Sequence, residues 1–94
     1  MTEWRYASVD LSNDVTTITA VPCLVLGVKV TTTMSAHVCP IKDDTATVFS
    51  IPASSVVGYS DSVEGTRFET SLVVDPDNAA TGVITVFYKV LGRP

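Results

Sequence analysis

The amino-acid sequence predicts an all-β protein: a single antiparallel β-sandwich or flattened β-barrel of about 7–8 strands in one domain. Three observations carry this expectation. Valine and threonine dominate the chain, and β-branched side chains fit a pleated surface but lose χ1 freedom in a helix. Turn signals recur at short intervals: Ser12-Asn13-Asp14, Val21-Pro22, Asp43-Asp44, Pro52-Ala53-Ser54-Ser55, Glu64-Gly65, Asp75-Pro76-Asp77-Asn78 and Gly92. The clearest segments between them alternate with a period of two, and none has a convincing helical period.

Residues 4–9 are weakly patterned and read as an arm (residues 1–12) or an edge strand. Residues 15–19 read as a short strand. The longest strand covers 24–33, where Leu24, Leu26, Val28 and Val30 alternate with Val25, Gly27, Lys29 and Thr31. Gly27 in its middle suggests a bulge or a close backbone approach. Residues 37–42 form a strand that Pro40 places at an edge or at a bulge, because proline has no N–H for a ladder. After the Asp43-Asp44-Thr45 turn, residues 46–51 complete a hairpin. Residues 53–58 allow one helical turn at most, and 58–63 make a weak strand suited to an edge. Residues 67–74 alternate cleanly, with Phe68, Thr70, Leu72 and Val74 on one side. A turn at Asp75-Pro76-Asp77-Asn78, or a loop reaching Gly82, leads to the last strand, 83–90. The expected core is Leu26, Val28, Phe49, Phe68, Leu72, Ile84 and Val86.

That last strand carries large apolar groups on both faces. In a two-sheet sandwich one face meets solvent. Val83 and Phe87, with Val25 and Val73, are therefore candidates for an exposed apolar stripe that meets a protein partner. The alternative is a strand covered on both sides by a loop or by the N-terminal segment. Trp4 and Tyr6 on that segment are candidate anchor side chains.

Composition narrows the function. The net charge is −4, and the six basic residues are scattered in sequence, which argues against binding a nucleic-acid backbone. Charged residues make up only 17%, below the roughly 25% of ordinary soluble domains, so part of the surface is expected to be covered in the working state. The N-terminus lacks a basic segment followed by an apolar one, and the longest apolar run falls far short of a membrane span; neither export nor a membrane role is expected. In a cytoplasm Cys23 and Cys39 are expected as free, reduced thiols.

No chemistry-bearing motif emerges. His37 is the single histidine and reads as a strand residue near the surface, without a nucleophile or carboxylate to orient it. The Asp75-x-Asp77-Asn78 run resembles the start of a calcium loop but lacks the later ligands, so it reads as a β-turn. Glu64 and Glu69 are not placed as an acid/base pair. No enzyme activity, cofactor or metal site is expected.

One likeness adds to this reading. Ile18-Thr19-Ala20-Val21-Pro22-Cys23-Leu24-Val25-Leu26-Gly27-Val28 is followed by Thr33-Met34-Ser35-Ala36-His37 and by Thr47-Val48-Phe49-Ser50-Ile51-Pro52-Ala53. Then come Arg67-Phe68-Glu69-Thr70-Ser71-Leu72-Val73-Val74-Asp75 and Ala80-Thr81-Gly82-Val83-Ile84-Thr85-Val86. The pattern resembles a group of short proteins encoded among the structural genes of tailed phages. Its residues belong to strands and turns, so no functional residue carries over. The resemblance implies a small β-subunit that decorates the outside of the phage head after assembly in the host cytoplasm. Its implied partners are the major capsid protein and further copies of itself, as a homotrimer. A head-fibre or tail-associated adhesion module, including a carbohydrate-binding one that stacks sugars on Trp4, Tyr6 or Tyr59, is the alternative.

Overall fold

Eight strands and no helix account for the regular structure of residues 4–13 and 15–91, which the computed structural model describes. They are β1 (Trp4–Asp10), β2 (Thr16–Thr19), β3 (Cys23–Thr32), β4 (Cys39–Asp43), β5 (Ala46–Ile51), β6 (Ser60–Phe68), β7 (Leu72–Val74) and β8 (Val83–Val90). All pairings are antiparallel. The strands form two sheets of four, ordered β1-β8-β3-β6 and β2-β7-β4-β5, so the architecture is a sandwich rather than a barrel.

The core lies between the sheets. Val9, Cys23, Val25, Val28, Val30, Phe68, Ile84, Val86 and Tyr88 point into it from the first sheet. Cys39, Ile41, Ile51, Leu72 and Val74 meet them from the second. Five of the seven expected core residues are fully buried. Phe49 is half-buried, with its ring edge-on to Phe68 at 6.5 Å. Leu26 is the exception, at 43% exposed.

A bulge explains Leu26. Val25 pairs with Tyr88 and Gly27 with Phe87, so Leu26 is one extra residue against β8. An inserted residue shifts the pleat by one and exchanges the faces of the strand. Cys23 and Val25 face the core before it; Val28 and Val30 face the core after it. Against β6 the insertion is larger on the other side, where Glu64 and Gly65 have φ of 54° and 79°. Gly27 is required here, because a Cβ would lie 2.5 Å from the Asp61 carbonyl oxygen.

From Trp4 the first segment is an edge strand and not an arm, since β1 pairs with β8 over seven consecutive residues; residues 1–3 of the expected arm lie outside the described residues. The stretch 67–74 is not one strand. It divides at Glu69-Thr70-Ser71, leaving Phe68 in one sheet and Leu72 in the other. The Asp43 carboxylate accepts all three backbone N–H groups at that crossing, from Glu69 (2.8 Å), Thr70 (2.9 Å) and Ser71 (3.2 Å). Pro40 lies in an interior strand and not at an edge, and the β4–β5 register shifts beside it, between Ile41 and Lys42. Its carbonyl accepts from the Asp75 N–H past the end of β7, so its missing donor falls where the β7 ladder has stopped. The connection from β7 is the longer of the two expected, a loop reaching Gly82 with its turn at residues 77–80. Ala80 N–H donates to the Asp77 carbonyl, and the Asp77 side chain accepts from Ala79 N–H.

Candidate functional site

Alternation on β1 and β8 decides which side chains leave the sandwich. Ala7 and Val9 turn inward on β1, so Trp4, Tyr6 and Ser8 turn outward. Ile84, Val86 and Tyr88 turn inward on β8, so Val83, Thr85, Phe87 and Lys89 turn outward. The register joins them into cross-strand rows. Tyr6, Phe87, Gly27 and Ser62 form one row across β1, β8, β3 and β6. Trp4, Lys89, Leu24 and Arg67 form the next; Ser8, Thr85, Lys29 and Ser60 form the row on the other side. The Ser8 and Thr85 hydroxyls are 3.5 Å apart, as neighbours in a row should be.

The result is one outward face bearing Trp4, Tyr6, Leu24, Leu26, Val83 and Phe87. Tyr6 is 72% exposed and Trp4 48%. Leu24, Val83 and Phe87 are half-buried. Because Gly27 has no side chain, the face is indented between Phe87, Leu26 and Lys29 on one side and Ser60 and Ser62 on the other, a depression of about 260 Å³.

Two of the expected stripe residues do not belong to it. Val25 is 0% exposed, because it precedes the bulge and points into the core. Val73 is 8% exposed and sits in the other sheet, between Thr17 of β2 and Lys42 of β4. Leu24 and Leu26 take their places. The signal for Leu26 was present in the adjacent Gly27, but glycine does not say which neighbour is the inserted one.

Cations scattered in the sequence gather on this sheet: Arg5, Lys29, Arg67 and Lys89 lie on its strands, whereas Lys42 is on the second sheet. Two of these four are engaged within the chain. The Arg67 guanidinium is 2.9 Å from the Glu69 carboxylate, and the Lys89 ammonium lies 5.5 Å from the Trp4 ring centroid. Lys42 pairs with Asp75 at 2.6 Å.

His37 lies in the loop before β4 rather than in a strand. Ser35 Oγ is 3.0 Å from its Nδ1, and Asp77 Oδ1 is 3.9 Å from its Nε2. These residue types suggest a nucleophile, a base and an orienting carboxylate. The His–Asp separation is too long for a hydrogen bond, so Asp77 does not orient the imidazole; Ser35 Oγ also accepts the Thr81 N–H at 3.0 Å. The cluster ties loop to loop: Ser35 N–H donates to the Thr81 carbonyl, and the Ser35 carbonyl accepts from Ser54 N–H. Among the described residues no three His, Cys, Asp or Glu side chains converge to hold a metal ion.

Cys23 and Cys39 are unbridged and buried in opposite sheets. Desolvation, with a smaller contribution from Asp43, raises the Cys23 thiol to about 11. Desolvation, with a contribution from Asp75, raises Cys39 to about 12. Neither is activated as a nucleophile. No protein-family model and no curated protein matches this chain.

Proposed function

We propose that this protein is a non-enzymatic structural component that acts through protein–protein contact, and that it decorates the outside of a tailed-phage head. The observation that carries the reading is the open aromatic and aliphatic face of the β1-β8-β3-β6 sheet, with Trp4 and Tyr6 standing out from it. Exposed aromatic side chains around half-buried apolar ones are the usual anchors of a protein interface. The resemblance to short phage structural proteins supplies the partner, the major capsid protein, and a homotrimer at threefold positions of the shell as the working form. Attachment of each subunit to several shell subunits at once raises the overall affinity without strong single contacts.

The test is cosedimentation of the purified protein with heads that lack it. The wild type pellets with the heads and Phe87→Glu stays in the supernatant. A wild type that remains in the supernatant at micromolar concentration overturns the reading.

A second reading is a carbohydrate-binding module on a fibre or tail. It is favoured by exposed Trp4 and Tyr6 rings on the same sheet face as a depression with Ser60, Ser62 and Lys29 at its rim. Glycan-array binding that Tyr6→Ala abolishes selects this second reading.

A further inference from the structure

We propose that, in the free protein, the same outward face closes on a second copy of this chain, with Phe87 of each copy filling the depression over Gly27 of the other. The inference shares the face assigned above but does not depend on the shell.

The argument is one of self-complementarity. A large ring, Phe87, stands beside a gap at Gly27 in the same row of the sheet. Take a two-fold axis lying in the interface, parallel to the strands and midway between β8 and β3. It exchanges β8 with β3 and β1 with β6 while keeping each row opposite itself. Phe87 then meets the other copy's Gly27, Trp4 meets Arg67, Tyr6 meets Ser62, Lys89 meets Leu24 and Lys29 meets Thr85. Each ring finds a gap, a cation or a small residue, and no cation faces a cation. Lys89 on β8 and Lys29 on β3 are the cations nearest the axis, facing Leu24 and Thr85 of the other copy, and the Lys89 ammonium is drawn outward onto its own Trp4 ring. An indole that holds one cation on one face has a second face for the other copy's Arg67.

A neighbouring placement is worse. An axis running along β8 itself sets Phe87 on Phe87 and Lys89 on Lys89, and leaves β6 uncovered. The chosen axis covers all four strands. Strands spaced ~4.8 Å apart, with about eight residues each at ~3.3 Å, give roughly 500 Å² per copy. About 1,000 Å² for the pair is the lower limit for a specific contact, which suits micromolar and reversible association. An isologous contact closes at two copies. The threefold arrangement proposed on the shell then requires the pair to open, and shell and second copy compete for one face.

Sedimentation equilibrium on the full chain from about 5 to about 500 μM tests this. The expected result is a monomer–dimer equilibrium in the micromolar range, with Phe87→Glu raising the dissociation constant at least ~100-fold. Trp4→Ala and Arg67→Ala, both exposed and unneeded for the core, each raise it about tenfold. The double variant is no weaker than either single one. Within one copy Trp4 and Arg67 lie on opposite edge strands, about 14 Å apart at three strand spacings. Energetic coupling between them therefore arises only across two copies. A protein that stays monomeric through the range, or single effects that multiply in the double variant, overturns the pair. A monomer that still pellets with heads defeats the pair and keeps the shell reading; a dimer that never does defeats the shell reading and keeps the pair.

Discussion

Removing the Asp43 carboxylate should loosen the crossing between the two sheets. Asp43 ends β4, and its two oxygens accept from the three amides where the chain leaves β6 for β7. Hydrogen bonds to a charged group contribute roughly 1.5–3 kcal/mol each when sheltered. Here three share one carboxylate, and two of the three are open to water, which offsets part of the loss. Asp43→Ala should therefore cost about 2 kcal/mol in all. For a chain of 94 residues that lowers Tm by about 10 °C. Asp43→Asn keeps one acceptor oxygen and should lose about half as much. The donated amides, led by that of Glu69 and opposed by a smaller desolvation, hold the Asp43 carboxyl below its ordinary value. A depressed carboxyl stabilises the fold above its unfolded pKa, about 4, and that share disappears as pH falls through the folded value. The gap between wild type and Asp43→Ala should thus narrow in acid. Urea and thermal denaturation followed by circular dichroism at pH 7 and near pH 3 measure both effects. A cost below about 0.5 kcal/mol at pH 7, or a gap that stays constant into acid, would refute the clamp.

Three further outcomes are expected. Leu72→Ala should cost roughly 2–5 kcal/mol in urea denaturation, because Leu72 is fully buried in a three-residue strand; a loss under 1 kcal/mol would contradict that burial. Gly27→Ala should cost about 1–3 kcal/mol, since the new methyl meets the Asp61 carbonyl and β6 must shift; a neutral result on thermal melting would show the approach to be looser. Both thiols should alkylate slowly in the folded protein and quickly in urea, with no bridge found by mass spectrometry. Their raised values keep them protonated in the fold while the unfolded chain ionises from about pH 9. Stability should therefore fall as pH rises from about 9 towards the folded values, and stability that is flat across that window would contradict their burial.

Much of the sandwich was legible because its long strands, β3 and β8 above all, bury one face against the other sheet. Alternation in residues 83–90 assigned both faces of β8 correctly, and with them Val83 and Phe87. The hairpin through Asp44, whose φ is 59°, was readable from its turn residues. Failures cluster where the period of two is broken. The extra residue at Leu26 reverses the apparent phase of β3, placing Val25 inside and Leu26 outside. The clean pattern of residues 67–74 conceals a crossing, because Phe68 and Leu72 face the same core from opposite sheets and continuous alternation cannot show a change of sheet. The edge position expected from Pro40 fails because a missing donor constrains one side of one residue, not the rank of the strand. The candidate face was half legible: Trp4, Tyr6, Val83 and Phe87 lie on it. The gap at Gly27 depends on the register of four strands distant in sequence, which no local pattern specifies.

On the proposed function, the outward face of the β1-β8-β3-β6 sheet attaches this protein to a shell. The most direct measurement is binding to purified phage heads that lack the protein, comparing the wild type with Phe87→Glu and, as a control on the opposite sheet, Ser50→Glu. Saturable pelleting of wild type and Ser50→Glu, lost in a folded Phe87→Glu, is the predicted result. Equal pelleting of all three proteins, or of none, would contradict it.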